Sequence, residues 1–304
     1  MAAQQSAIQP ASGRSKAKGG LFRLALMACL GISIALLGLL FVDVFRDAFS
    51  TVGDTGRRAL DGKLFTEFST TQPGKAGDAG LQSAITGTVW LMVICAVFIV
   101  PVGVATAIYL EEYADGERWW NRLIEVNIQN LAAVPSVVYG ILGLAFIVRG
   151  PLSLGNVLLA GGLTLALLVL PVVIIAGREA IRAVPPSIRE GSMALGATQW
   201  QTIWRQVLPA SVPGMATGVI LALSRAIGET APLILVGAAA FAAFNPGSPF
   251  DDFTALPIQI YTWISLPQPE FKALAAAGIV VLLAILIAMN GIAIWLRNRY
   301  EQKW

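Results

Sequence analysis

Long apolar stretches separated by short polar segments make up most of this chain. A helix that crosses a bilayer needs about 20 mostly apolar residues, because the hydrocarbon layer is about 30 Å thick. Six stretches meet that requirement: Leu24 to Phe45, Ile85 to Leu110, Ile128 to Val148, Gly155 to Ala176, Val212 to Ala240 and Leu274 to Leu296. The third has a polar start, with Asn127, Gln129 and Asn130. The first is longer than the core of a secretory signal, about 7–15 residues, and no small-x-small cleavage site follows it, so it reads as an uncleaved anchor. The expected fold is an all-α integral membrane protein with six transmembrane helices in residues 21–304. Residues 1–20, rich in Ala, Gly, Ser and Gln, are expected to form a disordered tail.

The distribution of Lys and Arg then predicts orientation. Six spans place both termini on one side, together with the second and fourth connections. That side carries Arg118, Arg122, Arg178, Arg182, Arg189 and Arg205, and the terminal Arg297, Arg299 and Lys303. Most positive residues of the other side, Arg46, Arg57, Arg58, Lys63 and Lys75, fall in the long connection 46–82, where such charges count least. Both termini and the connection 178–209 are thus expected in the cytoplasm, and loop 46–82 outside.

Composition narrows the function. The chain is 56% hydrophobic and only 13% charged, whereas a soluble domain carries about a quarter charged residues. A net charge of +3 gives no nucleic-acid footprint. Cys29 and Cys95 both sit in apolar runs, where thiols behave as small hydrophobes. The sequence holds no histidine, which removes Ser-His and Cys-His catalysis and His-ligated metals. There is no G-x4-G-K-[ST] phosphate loop either: Gly62-Lys63 is followed by Leu64, and Gly74-Lys75 by Ala76. The chain is expected to be no enzyme, with no catalytic residues and no cofactor or metal of its own.

The most structured connection is VPPSIREGSMALGATQWQTIWRQVLP, residues 184–209. Ser187 and Glu190 have capping-box spacing, which predicts a helix over 188–195 ended by Gly196. Thr198 and Gln201 repeat the spacing and predict a second helix, with Trp200, Ile203, Trp204 and Val207 on one face and Pro209 at its end. Glu190-Gly191-Ser192, then Gly196, then Leu208-Pro209 resembles the EAA loop of ABC-importer permeases, E-A-A-x3-G-x9-I-x-L-P. Gly191 and Ser192 stand where that consensus has alanines, and Gln206 where it has Ile. The resemblance implies a type I ABC importer permease fold and a loop that couples to a separate ATPase.

Within the fifth stretch, Arg225 and Glu229 interrupt the apolar run ALSRAIGETAPLIL. A charge at the centre of a spanning helix costs about 2.5–3.5 kcal/mol on insertion scales, and such residues mark substrate pathways more often than not. Four residues apart, the two share a helix face, with Ser224 and Gly228 adding small, polar character. An arginine suits an oxyanion because its planar fork donates two parallel hydrogen bonds and keeps its charge. The expected substrate-pathway residues are Arg225, Glu229 and Ser224.

The same stretch is very similar to the R-A-I-G-E-T-A-P segment of PstA-type permeases of bacterial phosphate importers. Pro135 to Gly140 (PSVVYG) resembles an element of phosphate, molybdate and sulfate permeases, and Val102 to Tyr113 fits the PstA type as well. The resemblance runs from about Thr86 to the C-terminus. It implies a phosphate importer in the inner membrane with a PstC-type second permease subunit, a PstB-type ATPase dimer that binds ATP and Mg, and an external PstS-type phosphate-binding protein. A molybdate or sulfate importer keeps the same architecture, and an ATP-independent anion transporter or channel would use Arg225 and Glu229 without the cytoplasmic loop.

Overall fold

The computed structural model describes residues 13–52, 56–72, 74–239 and 242–300. The chain divides into two units, the first ending at Arg46 and the second beginning at Asp47. Helix α1 (Gly13–Ala48) occupies the first. It starts inside the stretch expected to be a tail, because Lys and Ala ahead of the apolar run are good helix formers; residues 1–12 lie outside the described residues.

In the second unit, loop 46–82 is folded. A two-stranded hairpin, β1 (Thr51–Val52) and β2 (Arg57–Arg58), precedes the short helix α2 (Lys63–Thr66) and a 3-10 turn at Ala76–Asp78. Arg57 holds this layer together. Its guanidinium pairs with Asp61 at 2.9 Å and donates to the carbonyls of Gly77 (2.6 Å) and Ala79 (3.1 Å).

Helix α3 (Gln82–Ile108) continues as a π-turn, Tyr109–Tyr113. Helices α4 (Trp119–Ala132) and α5 (Ser136–Leu142) follow, the latter extended by a π-turn over Gly143–Val148. Helix α6 (Leu158–Arg182) is the central helix, with most of its apolar window buried. Helices α7 (Pro186–Ala194) and α8 (Gln199–Thr202), a π-turn at Ile203–Val207 and α9 (Leu208–Gly228) come next. The chain closes with α10 (Ala231–Leu235), α11 (Leu256–Ser265) and α12 (Pro269–Tyr300).

Among the described residues five helical stretches are long and apolar enough to cross a membrane, and a sixth is formed if α4 and α5, bent by 107°, count as one span. The bend falls inside the third stretch, 128–148, at Pro135, a proline within an apolar run and so a place where a helix can kink. Pro135 is the cause, since the residue before a proline is pushed out of helical conformation. Tyr139 clasps the bend: its hydroxyl donates to the Leu131 carbonyl at 2.9 Å, an acceptor it shares with the Val134 amide near the end of α4.

Helices α3 and α6 are parallel. Near their starts, Gly87 and Gly161 abut Thr254 and Phe253, and the Leu158 amide donates to Asp251. At their other ends Glu111 meets Arg178 and Arg182. The bent pair α4–α5 therefore carries the chain back from one end of the bundle to the other, as one crossing. Small residues let the helices approach: Gly103 against Val173, Gly177 against Ala107, Gly214 against Ala180 and Gly218 against Ala176. Where lipid supplies no hydrophobic drive between helices, such close contact is what holds them.

The fifth expected span is also corrected. A helix over 212–240 is not formed; α9 stops at Gly228, and Glu229 is extended (φ −79°, ψ 118°). Gly228 has poor helix propensity, and Pro232 lacks the amide needed to continue the ladder. At the other end, Pro209 does not terminate the preceding helix. The widened π-turn just upstream absorbs the missing donor, and the helical path from Gln199 to Gly228 is continuous.

Candidate functional site

The residues singled out in the sequence fall in two clusters, one at the end of the bundle where α3 and α6 finish and one at the break after α9. In the first, α7 begins at Pro186, with Pro185 as its cap residue and no side-chain cap. The expected Ser187–Glu190 capping box is not made, because Pro186 at the first helical position starts the helix early and places Ser187 inside it. Gly196 does take the left-handed conformation, φ +85°. Thr198 and Gln201 form the reciprocal box: the Gln201 amide donates to Thr198 Oγ1 (3.3 Å), and the Thr198 amide donates to Gln201 Oε1 (3.0 Å). Ser192 and Thr202 hydroxyls, 2.9 Å apart, tie the two helices together.

The face expected to carry four apolar residues is split. Ile203 and Val207 are buried, Val207 with Ile181, Val184 and Met215, while Trp200 and Trp204 point outward and stack with centroids 5.5 Å apart. Leu195 projects almost bare, 91% exposed. Glu190 and Gly191 lie on the same exposed surface, and Ser187, Gly191, Ser192, Leu195, Gln201 and Gln206 line a groove of about 430 Å³. Gln206 faces this groove, so a polar residue there places no amide in the core. A methyl group on Gly191 would meet nothing within 4 Å. Leu208 packs on the buried cluster, and Pro209 opens α9 at the surface.

In the second cluster, Arg225 lies in the last turn of α9 and Glu229 just past its end. Arg225 Nε is 3.5 Å from Glu229 Oε1, and the side chains are 43% and 18% exposed. The pair is thus set at a helix terminus, where the cation also complements the unpaired last carbonyls. Ser224 turns elsewhere: its hydroxyl donates to Asn290 Oδ1 of α12 at 3.1 Å. Asn290 is a polar residue that sequence reading passed over, although an amide in an apolar 20-mer is a signal of interhelical bonding. We expect Asn290→Leu to cost about 0.6–1.7 kcal/mol, the range for such bonds. It should lower the thermal transition of the solubilised protein by a few degrees and leave Arg225 and Glu229 in place; an unchanged transition would mean the bond contributes nothing.

The break also joins two segments far apart in sequence. α10 packs on α5, with Gly140 against Pro232 and Leu235; just beyond the two helices Gly143 lies against Val236, and against Thr164 of α6. The PSVVYG and GETAPLIL stretches therefore form one unit, something their spacing did not reveal. Glu111 and Glu112 were missed as well. Glu111 pairs with Arg178 (3.3 Å) and Arg182 (3.0 Å), and Arg178 also reaches Glu125 (2.9 Å). Charges at the end of a span are ordinary, so nothing in the sequence singled them out. Among the described residues no cluster of His, Cys, Asp and Glu suits a metal ion.

Residues 99–302 match the family described as binding-protein-dependent transport system inner membrane component. The chain is 35% identical over 263 residues to phosphate transport system permease protein PstA 1 of Mycobacterium tuberculosis, covering 86% of this chain and 81% of that one. It is 34% identical over 289 residues to the PstA protein of Mycobacterium leprae, covering 92% and 88%. Among solved structures, a bacterial alginate ABC transporter in complex with alginate pentasaccharide-bound periplasmic protein is similar in fold, with a TM-score of 0.62 at 17% identity over 92% of this chain and 97% of that one.

Proposed function

The chain belongs to the inner-membrane components of binding-protein-dependent transport systems, with the PstA-type permeases as its relatives, and from that premise we propose that it is one of two membrane subunits of an ATP-driven phosphate importer. The observation that carries the reading is the joint presence of a rigid, exposed two-helix loop at one end and an arginine at a helix break in the transmembrane region.

In this reading the surface around Glu190, Gly191, Ser192, Gly196 and Leu195 receives a partner ATPase, which binds ATP and Mg. Small residues let the partner approach, and Leu195 and the stacked tryptophans offer apolar area. Movement passes through the π-turn into α9, which begins at Leu208-Pro209 and carries Arg225 in its last turn. The guanidinium meets phosphate in the path, and Glu229 holds the arginine when the path is empty and limits how tightly the anion is kept. A second, PstC-type permease supplies the facing half, and an external binding protein delivers phosphate to the layer built on residues 47–81. Both termini lie in the cytoplasm, as the Lys and Arg bias supports.

The test is uptake of labelled phosphate by cells lacking this chain, with and without its restoration, in the presence of excess sulfate or molybdate. ATP-dependent uptake that is lost, returns on restoration and ignores the competitors is the expected result. Suppression by molybdate or sulfate would move the substrate to another tetrahedral oxyanion. Uptake independent of ATP would favour a transporter or channel.

A further inference from the structure

Glu112 grips both helices of the exposed loop at once. Its carboxylate is 8% exposed and accepts from Arg189 Nε at 3.0 Å and Nη2 at 2.8 Å, on α7. Its main-chain carbonyl accepts from Gln199 Nε2 at 2.6 Å, on α8. Arg189 also donates to the carbonyls of Val184 (2.6 Å) and Ile181 (2.9 Å), at the end of α6 and just beyond it. The guanidinium is thus shared among α7, the end of α6 and the π-turn that finishes α3. A paired, largely buried carboxylate of this kind is costly to break, because the remaining charge is left without its partner.

The far end of α3 is equally fixed. The Leu81 amide donates to the Leu64 carbonyl at 2.6 Å, tying the helix start to the layer built on residues 47–81. The Leu256 amide donates to Thr88 Oγ1 at 2.9 Å, and Gly87 lies against the Thr254 carbonyl. Along its length α3 packs on α6 more extensively than any other pair of helices in the described residues. It is a rod from one face of the bundle to the other, and its last turn holds the exposed loop. Covalently, however, that loop joins the bundle only through α6 and α9.

We propose that the π-turn Tyr109–Tyr113 is a second mechanical link between the ATPase-facing loop and the membrane domain, with Glu112 as the positioning residue that makes α7 and α8 move together with α3. The inference rests on the importer reading above. The widened turn has a use here: it brings the Glu112 carboxylate and carbonyl to α7 and α8, while Glu111 keeps the helix end on Arg178 and Arg182. Domain closure by the ATPase then pulls on α3, and through it on the opposite face, as well as on α9.

The test uses the complete transporter, with its second permease, ATPase and binding protein, in lipid vesicles. Uptake of labelled inorganic phosphate and ATP hydrolysis are measured on the same sample for the wild type, Glu112→Gln, Gln199→Ala and the double variant. Losing a charge-assisted hydrogen bond corresponds to about tenfold or more, and a neutral one to a few-fold. Phosphate moved per ATP hydrolysed is therefore expected to fall about tenfold in Glu112→Gln and about threefold in Gln199→Ala, and further in the double variant. ATP hydrolysis should stay within about twofold of wild type in each, a separation that a general loss of folding does not produce. If Glu112→Gln fails to assemble, Gln199→Ala on an exposed side chain decides alone. An unchanged ratio in the assembled variants overturns the link. Absence of ATP-dependent uptake in the wild type would instead count against the importer reading.

Discussion

Arg225→Ala is expected to leave the transporter assembled and reduce phosphate uptake by about two orders of magnitude. Two parallel hydrogen bonds to a charged group, each worth about 1.5 kcal/mol, account for that size. Arg225→Lys keeps the charge and loses the planar fork, so it should retain partial activity, down about tenfold. The competing explanation is that the arginine only balances Glu229, which is 18% exposed and would otherwise lie uncompensated. The double variant Arg225→Ala, Glu229→Ala separates the two. Removing both charges restores neutrality, so a purely balancing role predicts recovery, whereas an anion contact predicts that uptake stays lost. Labelled phosphate uptake, normalised to the amount of assembled complex, is the measurement.

The sequence made the spans legible because an apolar run of 20 residues has few other uses, and α3, α6 and α12 lie where the runs place them. It was uneven at breaks inside such runs. Pro135 marks a break that a proline in an apolar run already signals, whereas Gly228 ends a helix that hydropathy alone carries straight on, since a window of apolar residues is blind to one flexible link. The same blindness in reverse applies to Pro209, where a π-turn lets the helix continue. Arg225 and Glu229 stood out because charges in an apolar run are rare. Glu112 did not, because carboxylates at span ends are common and its meaning lies in Arg189, 77 residues away. The two tryptophans misled for a local reason. Helical periodicity placed them with Ile203 and Val207, but the bundle covers only the strip through Ile203 and Val207, and the rings on the strip beside it stack in the open.

Gly140→Val is the second change with a large expected effect, and it acts on the site from a distance. A methyl group at Gly140 would lie 2.7 Å from Pro232 Cα and 2.7 Å from Leu235 Cδ1. The leucine end can rotate away, but Pro232 Cα is backbone in the first turn of α10, three residues after Glu229. Any relief must move α10 off α5. Overpacking a tight contact costs about 1–3 kcal/mol, with more for a branched side chain against immobile backbone. Gly140→Ala should therefore assemble with a lowered thermal transition and uptake reduced several-fold. Gly140→Val should lose uptake almost wholly. Gly191→Ala serves as the control for adding a methyl group, since nothing lies within 4 Å of it, and the isolated subunit should keep its thermal stability. Were Gly140→Ala to lower stability and leave uptake unchanged, α10 would be a prop for the fold with no influence on Arg225. A loss of uptake larger than the loss of assembled protein would tie the placement of the arginine to the packing of two segments more than 80 residues apart in the chain.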